Sequence, residues 1–202
     1  DRVQSMVLGA IYGVITAKAC GVKDPTIGIL NIDGARQTEI VLNKLIAGGY
    51  PLNMACSRRA DGGCIMRGND ILTGTPDVMV MDSLTGNVVI KMLSSFASGG
   101  QYESLGYGYG PGISQDYDRL VLIASRASGA SVIAGALQFG ATLAKNDYRA
   151  IAAREFELAN KAGLKELLDG CVAKRKPGPS SAAVAAPARE PVTADIAGID
   201  VM

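Results

Sequence analysis

Apolar positions recur along this chain with two different periods. Val3, Met6, Val7, Ala10, Ile11 and Val14 fall at helical spacing, and Gly21 stands behind Cys20 where a helix stop belongs. Pro25 then introduces residues 26–32 (TIGILNI), which carry no polar alternation until Asn31 and so predict a strand covered on both faces. Residues 37–47 read as a helix closed by Gly48 and Gly49, residues 50–55 as a short strand, and residues 57–75 as an irregular segment rich in Gly and Arg. A second buried strand is predicted over 77–81 and a helix over 85–96, with Val88, Val89, Met92 and Phe96 on one side. The Gly and Tyr stretch 99–112 (GGQYESLGYGYGPG) must be a loop. Residues 119–124 predict another strand, 129–145 a small-residue helix, and 148–168 one long exposed helix with a Glu157 and Lys161 pair at i,i+4. Strands alternating with helices predict an α/β fold, a mostly parallel sheet with helices on its faces in three α/β/α layers. From Lys174 to Met202 the chain turns to Ala, Pro and small polar residues, so the reading is one domain over 1–172 and a flexible tail over 173–202.

Composition narrows the chemistry. Twenty Lys and Arg against 19 Asp and Glu leave a net charge of +1 with no basic face, which argues against nucleic acid as a partner. Apolar runs are interrupted early, by Lys18 and by Arg126, so none reaches the ~18 residues that span a bilayer. No secretory leader pattern opens the chain, and a cytoplasmic protein away from membranes is expected. The chain starts without Met inside a helical pattern, as a fragment or processed chain would. Four irregularly spaced cysteines (Cys20, Cys56, Cys64, Cys171) predict reduced thiols, with Cys20 a buried structural residue at a helix end. Histidine is absent. A Ser-His-Asp triad, a Cys-His pair and a His-rich metal site therefore cannot come from this chain alone, and no metal site is expected.

The most informative stretch is residues 77–91 (DVMVMDSLTGNVVIK), where a buried strand runs into a helix start. Asp82 and Ser83 follow the strand, and Thr85, Gly86 and Asn87 open the helix that carries Lys91. Free N–H groups and the positive dipole end suit phosphate or a developing oxyanion, and parallel sheets bind ligands at the carboxyl ends of their strands. The same residues also make an ordinary helix cap. Arg58, Arg59 and Arg67 could clamp a phosphate or be solvated loop cations, with Cys56 and Cys64 beside them. The Gly and Tyr loop precedes a predicted strand instead of following one, which fails the context of a dinucleotide fingerprint; it reads as a connection or a lid. Cys171 follows Gly170 at the end of the last helix. The negative helix end works against a thiolate there, and Lys174, Arg175 and Lys176 work for it.

Two segments together are specific: residues 25–34 (PTIGILNIDG) and 77–96 (DVMVMDSLTGNVVIKMLSSF), with Thr85 to Val89 the most distinctive part. They resemble the PlsX-type fatty-acid and phospholipid synthesis proteins, acyl-phosphate-forming acyltransferases, over residues 1–171. The likeness is closer to the branch that serves glycine, sarcosine and betaine reductase complexes as component C subunit alpha. Against those longer proteins the chain is placed as the C-terminal half. The resemblance implies a sheet of the isocitrate/isopropylmalate dehydrogenase and phosphotransacetylase type. It implies that a carboxymethyl group on a selenocysteine of selenoprotein component A becomes an acetyl thioester on a cysteine matching Cys171, released by inorganic phosphate as acetyl phosphate. No cofactor is implied beyond phosphate as substrate; component C subunit beta is an implied partner, in a homo- or hetero-oligomer. Two other readings stay open: an acyltransferase with no covalent thioester, and a scaffold half whose small-residue helices dimerise.

Overall fold

The computed structural model describes residues 1–115, 117 and 119–173, the last two of these by their backbone only; the predicted tail from Lys174 lies outside the described residues. Helix α1 (Arg2–Ala19) begins under the Asp1 carboxylate, which accepts from Val3 N at 2.7 Å, and stops where Gly21 takes φ 95°. Strand β1 (Thr26–Leu30) follows Pro25 and is the centre of a four-stranded sheet. Helix α2 (Ala35–Ala47) packs back on it.

Three short strands complete the sheet: β2 (Asn53–Met54), β3 (Ile65–Met66) and β4 (Val78–Val80). Each pairs with β1 in parallel, β2 through Thr26 and Ile27, β3 through Ile29 and Leu30, and β4 through Ile27, Gly28 and Ile29. Asp77 pins the β1–β4 register, accepting from Thr26 N at 2.8 Å and Thr26 Oγ1 at 2.7 Å, which lowers its carboxyl from the ordinary value. At Gly28 a Cβ would stand 2.6 Å from Met66 Cγ and 2.9 Å from Pro76 Cγ, so the middle of β1 has room only for glycine.

Helix α1 is the hub. It lies against β4, α2, and two later helices, α6 (Tyr148–Lys161) and α7 (Leu164–Ala173). Met6, Val7, Ala10, Ile11, Val14 and Ile15 are buried with Ile27, Ile29, Leu42, Leu45, Val80, Phe156 and Leu164 in one core, at about 1.5–3 kcal/mol of transfer free energy for each large side chain. Within it, Glu155 accepts from Lys18 Nζ at 2.6 Å and Tyr50 OH at 2.9 Å, which joins α1, α6 and the turn after α2.

The expected α/β fold with a parallel sheet is present, and several finer expectations need correction. Residues 119–124 are not a strand: Ile123 makes one antiparallel bridge to Tyr109, away from the sheet. The helix expected over 148–168 is two helices, because Gly163 takes φ 90° and turns the chain. The strand expected over 50–55 shrinks to β2, while the irregular segment contains β3 and a short helix α3 (Gly68–Leu72). Cys20 is exposed, since it sits one residue beyond the buried end of α1. Helix α4 (Ser83–Ser98) bonds to the following loop, and α5 (Ala130–Lys145) closes that loop from its far end.

Candidate functional site

Asp82 leaves β4 and becomes the N-cap of α4. Its carboxylate accepts from Leu84 N and Thr85 N, both at 3.0 Å, and from Thr85 Oγ1 at 2.8 Å. Those bonds, the Thr85 N–H first, hold its carboxyl below the ordinary value, with a smaller contribution from the Arg2 guanidinium. Two first-turn donors that could face an anion are therefore already occupied by a negative group.

Ser83, Gly86 and Asn87 turn to another side of α4 and line a cleft of about 400 Å³ with Ile90, the loop residues Glu103, Leu105, Gly108, Tyr109 and Gly110, and Val132 of α5. The Gly and Tyr loop thus folds over the helix start. It can do so because Gly108 (φ 78°) and Gly110 (φ 135°) pass so close to the 121–123 backbone that a Cβ would lie 2.7 Å from Ile123 O and 2.8 Å from Val121 O. At the cleft floor Glu103 is buried and accepts from Lys91 Nζ at 2.7 Å, Ser125 Oγ at 2.6 Å, Ser128 Oγ at 3.1 Å and the Tyr109 hydroxyl. Led by Lys91, these donors lower its carboxyl to about 2. Lys91 is correspondingly raised, its ammonium committed to Glu103 and its charge balanced in place. Tyr109 OH also lies 3.2 Å from Asn87 Oδ1, so the loop network reaches the predicted helix start.

Cys171 occupies a second place. Gly163 directs α7 across α1 and α2, and the thiol, donating to Leu167 O at 3.2 Å, opens on a cavity of about 570 Å³. Val3, Ile40, Val41 and Leu167 give it apolar walls, and Gln37, Lys44 and Glu166 give it polar ones. Asp1 and Val3 both line this cavity, whereas Arg2 between them pairs with Asp33 at 2.6 Å and reaches the field of Asp82. Asp33 and Asp82 follow the carboxyl ends of β1 and β4, the edge where parallel sheets bind ligands.

The remaining candidates lie elsewhere. Arg58 is exposed and lines neither cavity. Arg59 is structural, donating to Ile65 O at 2.9 Å and pairing with Asp61. Asp70 accepts from Arg67 N at 2.9 Å and Ser57 Oγ at 2.9 Å. The Cys64 thiol is pushed up to about 12 by burial and by Glu39, which accepts from it at 3.2 Å, so it stays protonated at neutral pH. Among the described residues no group of three Cys, Asp or Glu is arranged to hold a metal. Sequence reasoning missed Glu103, Tyr109, Ser125 and Ser128. A signal existed: Glu103 is the single charge between Lys91 and Asp116.

Comparison with known proteins adds to this geometry. Over its full 202 residues the chain is 53% identical to the glycine/sarcosine/betaine reductase complex component C subunit alpha of Peptoclostridium acidaminophilum, covering 52% of that protein. It is 37% identical over 93 residues to a phosphate acyltransferase of Aquifex aeolicus, 46% of this chain and 25% of the relative. It is 36% identical over 92 residues to a phosphate acyltransferase of Thermus thermophilus, 45% of this chain and 27% of the relative. The chain thus spans about half the length of the first of these relatives and about a quarter of the others. No solved structure matches. Residues 1–201 match the family described as fatty acid synthesis protein, and the chain belongs to that family.

Proposed function

We propose that this chain carries the thioester step of acetyl phosphate formation in an amino-acid reductase complex, with Cys171 as the acyl-bearing thiol. The observation that carries this reading is the Cys171 cavity: a thiol opening on a hollow of about 570 Å³ with mainly apolar walls and Lys44 among its lining residues. The whole-chain likeness to a reductase component C subunit alpha supports it. In the proposed cycle Cys171 carries an S-acetyl thioester, formed when a second thiol acts as two-electron reductant to cleave the carboxymethyl C–Se bond, leaving a selenium–sulfur bond on the selenoprotein side, and a carboxyl oxygen departs as water. A phosphate oxygen adds to the carbonyl carbon, the tetrahedral oxyanion collapses, and the C–S bond breaks with the electron pair returning to sulfur. Acetyl phosphate leaves and the thiol is regenerated.

Ser83, Gly86 and Asn87 are read as the phosphate and oxyanion side of this site; Asp82 and Thr85 shape that turn, and Lys91 anchors the loop beneath it. Arg58 remains a peripheral phosphate candidate. Component C subunit beta, selenoprotein component A and inorganic phosphate are the proposed partners, and the sheet is read as of the isocitrate/isopropylmalate dehydrogenase type. In the assembled complex, Cys171→Ala should lower acetyl phosphate formation by at least ~1,000-fold while Cys56→Ala leaves it unchanged. A wild-type rate in Cys171→Ala removes the thioester. The second reading, direct acyl transfer between a carrier thiol and phosphate, is favoured by the phosphate acyltransferase relatives and by the cleft at the α4 start. It predicts the reverse pattern, with Asn87→Ala inactive and Cys171→Ala tolerated.

A further inference from the structure

The segment that joins β2 to β3 leaves and rejoins β1 within one two-residue step: Ala55 N donates to Ile27 O at 2.9 Å, and Ile29 N donates to Cys64 O at 3.0 Å. Gly62, at φ 58°, turns the chain back with its N–H on Arg59 O at 3.0 Å, and Ser57 N donates to Gly63 O at 3.1 Å across the mouth of the loop. Cys56 and Cys64 flank that last bond, one on each side. With standard peptide dimensions, such a bond holds their Cα atoms about 4–6.5 Å apart, and a disulfide bridges about 4.4–6.8 Å. We propose that Cys56 and Cys64 form a reversible disulfide across this mouth, a modification site for low-molecular-weight disulfides that is independent of the chemistry assigned above.

The two thiols divide the exchange between them. Ala55 and Ser57 are buried and Cys56 between them is exposed, the alternation of an extended segment. Ser57 Oγ donates to Asp70 of α3 at 2.9 Å, which turns Cys56 away from α3, while Cys64 donates to Glu39 of α2 at 3.2 Å. The exposed Cys56, as thiolate, attacks one sulfur of the incoming disulfide; that S–S bond breaks and its other half leaves as a thiol. Cys64 is half-buried, and its thiol, raised to about 12 by burial and by Glu39, does not compete for this step. Its sulfur then attacks the Cys56 sulfur of the mixed disulfide, its proton passes to Glu39, and the second half leaves as a thiol. Two protein thiols are oxidised, one disulfide is reduced to two thiols, and no other reactant is needed. The folded mouth makes the second attack intramolecular, at the cost of the Cys64 contact to Glu39.

Peptide mapping of the full chain equilibrated with millimolar oxidised glutathione tests this. Trypsin, cutting after Lys44, Arg58, Arg59 and Arg67, puts Cys56 in peptide 45–58 and Cys64 in peptide 60–67. The expected product joins these two peptides less two hydrogens, and dithiothreitol separates them. Cys64→Ser removes the second sulfur and is expected to raise the glutathione held on Cys56 at least ~10-fold over the wild type. The wild-type map decides by itself if Cys64→Ser does not fold. Cys56 and Cys64 both left as thiols, glutathione retained on Cys56 of the wild type beside a free Cys64, Cys56 joined to Cys20 or Cys171, or a linkage found only between two chains overturns the proposal.

Discussion

Glu103 is the residue whose surroundings say most about how the cleft is held. It is buried, accepts from three different side-chain types, and has its carboxyl lowered from 4.5 to about 2. A lowered carboxyl stabilises the fold above its unfolded value, and that contribution is lost as pH falls through the folded value. The native state should therefore lose stability between about pH 4.5 and pH 2, and Glu103→Gln should flatten that acid limb while costing about 2 kcal/mol at pH 7. Urea unfolding at pH 7, 4 and 2.5 measures both. Glu103 stands out in the sequence as a lone charge, but its pairing does not, because three of its four donors sit 12 residues before it and 22 and 25 after it. Lys91 stands out in the sequence as a phosphate candidate; its partner is a carboxylate. Tyr50 gives a second test: its hydroxyl donates to buried Glu155 at 2.9 Å, and burial together with Glu155 raises it above the ordinary tyrosine range. Tyr50→Phe removes that donor and should cost about 1–2 kcal/mol in the same assay, with Lys18 still pairing Glu155.

At the scale of elements, what is legible follows periodicity and what is not follows tertiary contacts. The α1 pattern and both buried strands stand within a few residues of their expected limits, since burial on one stripe or both faces writes itself into the apolar spacing. The 119–124 segment has the same apolar look but pairs once with Tyr109, because its neighbours are the Gly and Tyr loop and α5 and not the sheet. The apolar side of α4 is also visible as a stripe, yet periodicity does not say whether a stripe faces inward. Gly48 shows a contact no local pattern reveals: a Cβ there would lie 2.3 Å from Ala162 O, where the end of α2 meets the link between α6 and α7. Gly48→Ala must move that backbone, and should cost about 2 kcal/mol and lower the melting temperature by about 4–8 °C.

For the whole molecule, the candidate residues fall in two places, the Cys171 cavity and the cleft at the start of α4. The first turn of α1 lines the Cys171 cavity through Asp1 and Val3, while Arg2 pairs with Asp33. The sequence points to both parts, Asn87 and Cys171, but leaves them far apart along the chain. It is the break at Gly163 that brings α7 back over α1 and α2. No helix of the described residues is long and apolar enough to cross a membrane. The central claim is that Cys171 holds the acyl group between its arrival and its transfer to phosphate. Mass spectrometry of the chain taken from the complex turning over at limiting phosphate tests it most directly. The account predicts a hydroxylamine-labile acetyl adduct on the peptide bearing Cys171, discharged as acetyl phosphate when phosphate is added. Steady formation of acetyl phosphate with labelled acetyl never attached to this chain would contradict it.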